Sequence, residues 1–155
     1  MSSVEIFIIY LFTMLELLKN ILLSMRWSFV FTMTLISLFL GMLWYSRFLF
    51  LSPYVRWMHF PKNMKAGNMI LTIAYEAVTR ILYFMGLWWV FVTWGKTSLT
   101  WVLPLAIFIW LLFVFATQFS SVIRSNIDKK VIWITAGKIL VETLIAAWMF
   151  SMMIR

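Results

Sequence analysis

Residues 27–46 read WSFVFTMTLISLFLGMLWYS, an uncharged run enclosed by Arg26 and Arg47. At ~1.5 Å per residue, a helix of about this length matches the ~30 Å hydrocarbon core of a bilayer. Working outward, residues 97–123, TSLTWVLPLAIFIWLLFVFATQFSSVI, form a second uncharged run. Two more apolar runs flank that one. The pattern predicts an all-α, multi-pass transmembrane helix bundle with spans at about 28–46, 69–94, 99–123 and 131–154.

Composition agrees. Hydrophobic residues make up 65% of the 155 positions and charged residues 12%, with a mean hydropathy of +0.99. A soluble domain is about half apolar and about a quarter charged. A chain this short cannot hide so much apolar surface from water, so lipid is the solvent that fits. The net charge is +8, but the basic residues are few and most lie at the ends of apolar runs. That is the placement of a positive-inside membrane protein and excludes a nucleic-acid groove. Cysteine is absent, which excludes disulfides, thiolate metal sites and redox thiols.

Ser2 and Glu5 have capping-box spacing, which predicts a helix over about Val4–Met25. Thr13, Glu16, Asn20 and Ser24 recur at steps of three and four, with Lys19 beside them, giving one polar stripe on an apolar rod. Residues 1–26 therefore read as an N-terminal amphipathic helix, lying in the interface or packed on a partner, and residues 27–155 as the four-span domain. Neither Pro nor Gly separates the two, so one bent rod is the other reading. The first charges, Glu5 and Glu16, are acidic. A secretory signal or a mitochondrial presequence has the opposite character, so this segment is expected to remain on the mature chain.

The connection over residues 47–68 carries Arg47, Arg56, Lys62 and Lys65 and no acid; the loop Arg124–Lys130 carries three bases and one acid. Both are expected on the cytoplasmic or matrix side, with the short turn at Lys96 opposite. Trp44, Tyr45 and Trp133 would mark the inner boundary, and Trp27, Trp94, Trp101 and Trp148 the outer one. Arg47, Arg56, Lys62 and Lys65 are candidates for holding anionic lipid headgroups, cardiolipin included.

The first span ends Gly41-Met42-Leu43-Trp44-Tyr45-Ser46, and Trp57 follows after a basic stretch. This ending resembles an uncharacterised family of small four-span membrane proteins, known as a domain of unknown function, with Gly-x-x-Trp-Tyr-Ser at the end of the first span and a Trp downstream. The likeness covers about Ser28–Met153. Arg47 stands where that family usually carries Pro, and the first helix is an addition to it. The resemblance implies four spans and brings no activity. Gly41 and Trp44 also have a plain reading, as a close helix approach and a headgroup-layer aromatic.

Four charges fall inside the predicted spans: Glu76, Arg80, Lys138 and Glu142. Each costs about 2.5–3.5 kcal/mol at mid-bilayer on insertion scales, so they need a reason. Glu76 and Arg80 share one helix face, as do Lys138 and Glu142. The second and fourth spans run in the same direction, which sets Glu76 level with Lys138 and Arg80 level with Glu142. The spacing predicts that these spans pack side by side with opposite signs paired, Thr72, Thr79 and Thr135 adding hydrogen bonds. The bland reading is a polar clasp that fixes register, with matched signs leaving no vacant site for a substrate. The functional reading is an ion or proton path, and a third is contact with a partner subunit or a lipid headgroup.

His59 is the sole histidine; beside Trp57 and Phe60 it reads as interfacial or solvated. A haem or zinc site needs more ligands than this chain supplies, so no metal or cofactor is expected. Gln118 suits an interhelical hydrogen bond. No phosphate loop, nucleophile elbow or catalytic carboxylate pair is present, so no enzyme is expected. The leading expectation is a structural or accessory subunit of a larger membrane complex, in a mitochondrial inner or bacterial cytoplasmic membrane. The alternative is a small transporter or channel using the intramembrane charges.

Overall fold

The computed structural model describes residues 3–58, 69–95, 97–124 and 128–154. Among them the chain is all-helical: α1 (Ser3–Ser24), α2 (Trp27–Trp44), α3 (Leu51–Met58), α4 (Met69–Thr93), α5 (Leu99–Arg124) and α6 (Val131–Met153). Of these, α2, α4, α5 and α6 are long and apolar enough to cross a membrane, close to the expected bounds. His59, Lys62, Lys65 and Lys96 lie outside the described residues.

α1 and α2 are separate helices, and not the single rod of the alternative reading, because Arg26 adopts an extended conformation between them (φ −79°, ψ 91°). Its guanidinium instead donates to the carbonyl of Met153, capping the C-terminal end of α6, where a helix dipole favours a cation. The stretch after Ser46 is not a plain polar connection either. The Leu49 and Leu51 amides both bond the Ser46 carbonyl, turning the chain into α3. Pro53 falls in the first turn of α3, where its missing donor is tolerated. Apolar and aromatic side chains hold this turn against the end of α2, with Trp44–Phe50 and Tyr45–Tyr54 ring centroids 4.8 and 4.9 Å apart.

Side-chain ties set the directions. The start of α2 meets the end of α6 through Arg26, and the end of α2 meets the start of α6 through Trp44, so these helices are antiparallel. α4 runs parallel to α6: contacts rise in step from Glu76–Lys138 through Tyr83–Thr143 to Trp88–Phe150. α2 packs on both α4 and α6, and α5 packs on α6. The backbones of α4 and α6 approach each other only sparsely. Their expected side-by-side packing is thus made mainly by long side chains, with α2 as the chief neighbour of α4.

The core lies toward the Arg26–Met153 end. Phe29, Phe84, Phe91 and Phe150 are fully buried there, with Trp88 among them. Ala146, Ala147 and Ala106 are small enough to let α5 and α6 close on this plug.

α5 contains a wider, π-helical turn over Trp110–Phe115. Residues five apart diverge around an ordinary α-helix, but the wider turn brings them to one side. Trp110 and Phe115 thus both pack against the cluster of Val122, Ile132 and Ala136, with their rings 5.5 Å apart. The sequence pattern gave no warning of this turn.

Candidate functional site

The four charges expected inside the spans meet in one cluster and close a ring. Arg80 Nη2 lies 2.8 Å from Glu76 Oε1, and Arg80 Nη1 lies 3.0 Å from Glu142 Oε2. Lys138 Nζ lies 3.0 Å from Glu76 Oε1 and 3.4 Å from Glu142 Oε1. Opposite signs therefore alternate, two contacts running along a helix and two crossing between α4 and α6. Two acids and two bases leave the ring electroneutral. The Arg80–Glu142 contact is close but poorly aligned for a hydrogen bond, leaving Oε2 of Glu142 with charge pairing alone.

The two carboxylates differ in surroundings. The Glu142 side chain is 0% exposed and that of Glu76 is 39% exposed. Ser37 of α2 donates to Glu142 Oε1 at 2.8 Å. Arg80 Nε, Arg80 Nη2 and Lys138 Nζ all converge on Oε1 of Glu76. Its Oε2 has no partner among the described residues.

Lys138 reaches this ring by passing over Gly41. A β-carbon at Gly41 would lie 3.0 Å from Nζ and 3.3 Å from Cε of Lys138. The ammonium also sits 5.8 Å from the centroid of the Tyr45 ring, within cation–π range. Ser37 was missed by sequence reasoning, although Ser37 and Gly41 have the small-xxx-small spacing of a close helix approach.

Trp44, expected at a headgroup boundary, is half-buried, and its indole N–H donates to the carbonyl of Ile134 at 3.0 Å. Trp110 donates to the carbonyl of Ala136 at 2.8 Å. A carbonyl has two lone pairs, so each accepts an indole in addition to its helix donor. Trp133, Trp27, Trp94, Trp101 and Trp148 are exposed. Ser46 is half-buried, and its hydroxyl has no partner among the described residues. Trp57 accepts the Asp128 amide at its carbonyl and has Lys130 Nζ 5.7 Å from its ring centroid. That contact brings α3 and the turn before α6 to the same end of the bundle. Arg47 and Arg56 are exposed at that end.

Of the threonines, Thr79 bonds the Glu76 carbonyl, and Thr135 bonds carbonyls one turn back in its own helix. Neither reaches the ring. Tyr83 and Thr143, one turn beyond the ring, share a 2.6 Å hydrogen bond between α4 and α6.

The expectation that matched charges leave no vacancy is not met. A cavity of about 650 Å³ lies against Glu76, Arg80 and Lys138. Tyr45 and Tyr54 line its α3 end, and Leu38, Ile73 and Ile139 its apolar walls. Thr72, Thr135 and Gln118 also line it. Burial raises the phenol of Tyr54 above its ordinary range, so it stays protonated. Tyr54 of α3 stands at one end of the cavity, and α4 and α5 are not a closely packed pair among the described elements. Toward the other end the buried phenylalanines close the bundle. Among the described residues no group of three or more His, Cys, Asp or Glu could hold a metal.

Four helices able to cross a bilayer, two of them, α4 and α6, tied by a neutral ring of ion pairs, define a small bundle of the multi-pass membrane class. A family model described as a protein of unknown function, DUF1761, matches residues 28–151, and the chain belongs to that family. No curated protein matches the chain, and no solved structure does. α1 lies outside the matched span.

Proposed function

We propose that this protein is a non-catalytic accessory subunit of a larger membrane complex, with the α2–α6 bundle as a rigid anchor and α1 as the element that docks. The observation that carries this reading is α1 itself. Its described side chains are exposed all round, including Phe7, Tyr10, Phe12, Met14 and Leu23. The bundle pairs its own intramembrane charges in a neutral ring. A partner helix in the membrane would cover the apolar faces of α1, and its stripe at Thr13, Glu16 and Asn20 would meet polar groups there. On this reading the host membrane is mitochondrial inner or bacterial cytoplasmic, with the α3 end on the matrix or cytoplasmic side. Arg47 and Arg56 at that end suit anionic lipid.

The test is deletion of residues 3–24. The shortened chain should still insert and unfold at the full-length temperature, yet migrate alone on native gels where the full-length chain migrates in a larger assembly. An unchanged assembly would end the docking reading. The second reading, a small transporter, draws on the cavity beside Glu76. Reconstituted alone, a transporter conducts or exchanges an ion and loses this with Glu142→Gln. A docking subunit gives no flux.

A further inference from the structure

We infer that the cavity beside the ion-pair ring binds the head of a neutral, hydroxyl-bearing amphiphile, with the hydroxyl donating to Oε2 of Glu76. This goes beyond the docking reading and does not depend on it. The geometry selects the ligand in three steps.

The first step is charge. Glu76, Arg80, Lys138 and Glu142 sum to zero and contact one another at 2.8–3.4 Å. An anionic head would have to draw Arg80 or Lys138 away from a carboxylate. A cationic head at Glu76 would sit beside Lys138 Nζ, which already lies 3.0 Å from the other oxygen of that carboxylate. In a low-dielectric site, like charges this close repel strongly. A neutral head avoids both costs.

The second step is hydrogen-bond polarity. Arg80 and Lys138 direct donors at the two carboxylates. Glu76 lines the cavity and is partly exposed; the donors from Arg80 and Lys138 fall on its Oε1, so what it offers a ligand is an acceptor, Oε2. A carboxylate oxygen takes a donor, and a hydroxyl is the neutral donor common among membrane amphiphiles.

The third step is shape. The volume, about 650 Å³, falls within the ~300–1,000 Å³ usual for small-molecule sites. Leu38, Ile73 and Ile139 give the walls an apolar character that suits the first methylenes of a chain. α4 and α5 are not among the closely packed helix pairs, so a chain leaving between them would need no opening of the α2–α4 or α2–α6 contacts.

The experiment uses the full chain in lipid nanodiscs and three photoreactive probes with one alkyl diazirine tail. Their heads are an alcohol, a carboxylate and a primary amine. The alcohol should label α4 and α6 around Ile73 and Ile139 at least fivefold more than either charged probe. A monoacylglycerol should compete and glycerol should not, which separates an amphiphile from a free polyol. Ile73→Trp, which fills the cavity without touching the ring, should abolish the labelling. Glu76→Gln leaves the ring with a net positive charge and should invert the preference toward the carboxylate probe. Stronger labelling by the carboxylate or the amine in the unaltered chain would overturn the inference, as would competition by glycerol. Equal labelling by all three, insensitive to Ile73→Trp, would also overturn it, because the tails alone would then account for the signal.

Discussion

Lys138 crosses α2 at the one point where α2 has no side chain: its Nζ would lie 3.0 Å from a β-carbon at Gly41. The ammonium is the flexible end of a long side chain, but it is not free to move, since Glu76 and Glu142 hold it from two sides. Gly41→Ala should therefore displace Lys138 from its ion pairs and destabilise the bundle by about 1–3 kcal/mol, the usual cost of overpacking. Thermal unfolding in detergent checks this. Gly41→Ala combined with Lys138→Met should cost less than the sum of the two single changes, because the clash and the lysine disappear together.

Gly137 makes the contrasting case. A β-carbon there would meet only Trp44, at an ordinary 3.7 Å. Gly137→Ala should be neutral or stabilising by up to about 1 kcal/mol, the helix-propensity gain of alanine over glycine. A loss of stability as large as that of Gly41→Ala would show that Trp44 sits closer to α6 than the structure has it.

The two indoles on α6 permit a cleaner measurement. Trp44→Phe and Trp110→Phe each remove one N–H donor to a carbonyl, of Ile134 or Ala136, and keep most of the ring. Each carbonyl retains its helix donor, so neither is left unpaired. The expected cost is about 0.5–1.5 kcal/mol per substitution. The two donors bond separate carbonyls from different helices, so the pair should add. Additivity in a double-mutant cycle is the check.

The four long apolar helices were legible because two are uncharged runs of bilayer length and the other two are apolar runs of similar length with only two charges each. The charge pairing was legible too. Positions 76 and 138 lie equally far from the starts of two parallel helices, and so do 80 and 142. Counting depth was enough to match the signs. The cavity was not legible, because its lining brings Tyr54 of α3 together with residues of α2, α4, α5 and α6, which requires knowing how α3 turns and which helix faces meet. Neither follows from hydropathy: α4 and α5 are apolar around most of their circumference, so the pattern does not say which faces meet. The hydrogen bond of Trp44 to α6 was not legible for a related reason. An indole near the end of a span suits a headgroup layer and a carbonyl on a neighbouring helix equally well.

Arg26 offers a local test of how α2 and α6 are joined. Its guanidinium donates to the Met153 carbonyl at the end of α6. Arg26→Gln should fray the last turn and cost about 1 kcal/mol, the upper part of the usual range for a cation at a helix C-terminus. Amide hydrogen exchange should quicken at the end of α6 and stay unchanged around Glu142, which the ring holds independently.

The closed ring makes a prediction that an isolated ion pair would not. For a single Glu–Lys pair, exchanging the two residues restores the attraction. Here Glu76 also contacts Arg80, and Lys138 also contacts Glu142. The double exchange Glu76→Lys with Lys138→Glu would set a base beside Arg80 and an acid beside Glu142, so both contacts along the helices become repulsive. It should therefore be no better folded than Glu142→Gln, which leaves a buried excess of positive charge and should cost about 3–5 kcal/mol. Exchanging all four signs, with Arg80→Glu and Glu142→Arg added, restores the alternation. It should recover a substantial part of the loss, short of full recovery because Arg and Lys differ in shape. Unfolding of the three variants in detergent orders them. If the double exchange alone restores stability, the pairs are independent and the ring is not a unit.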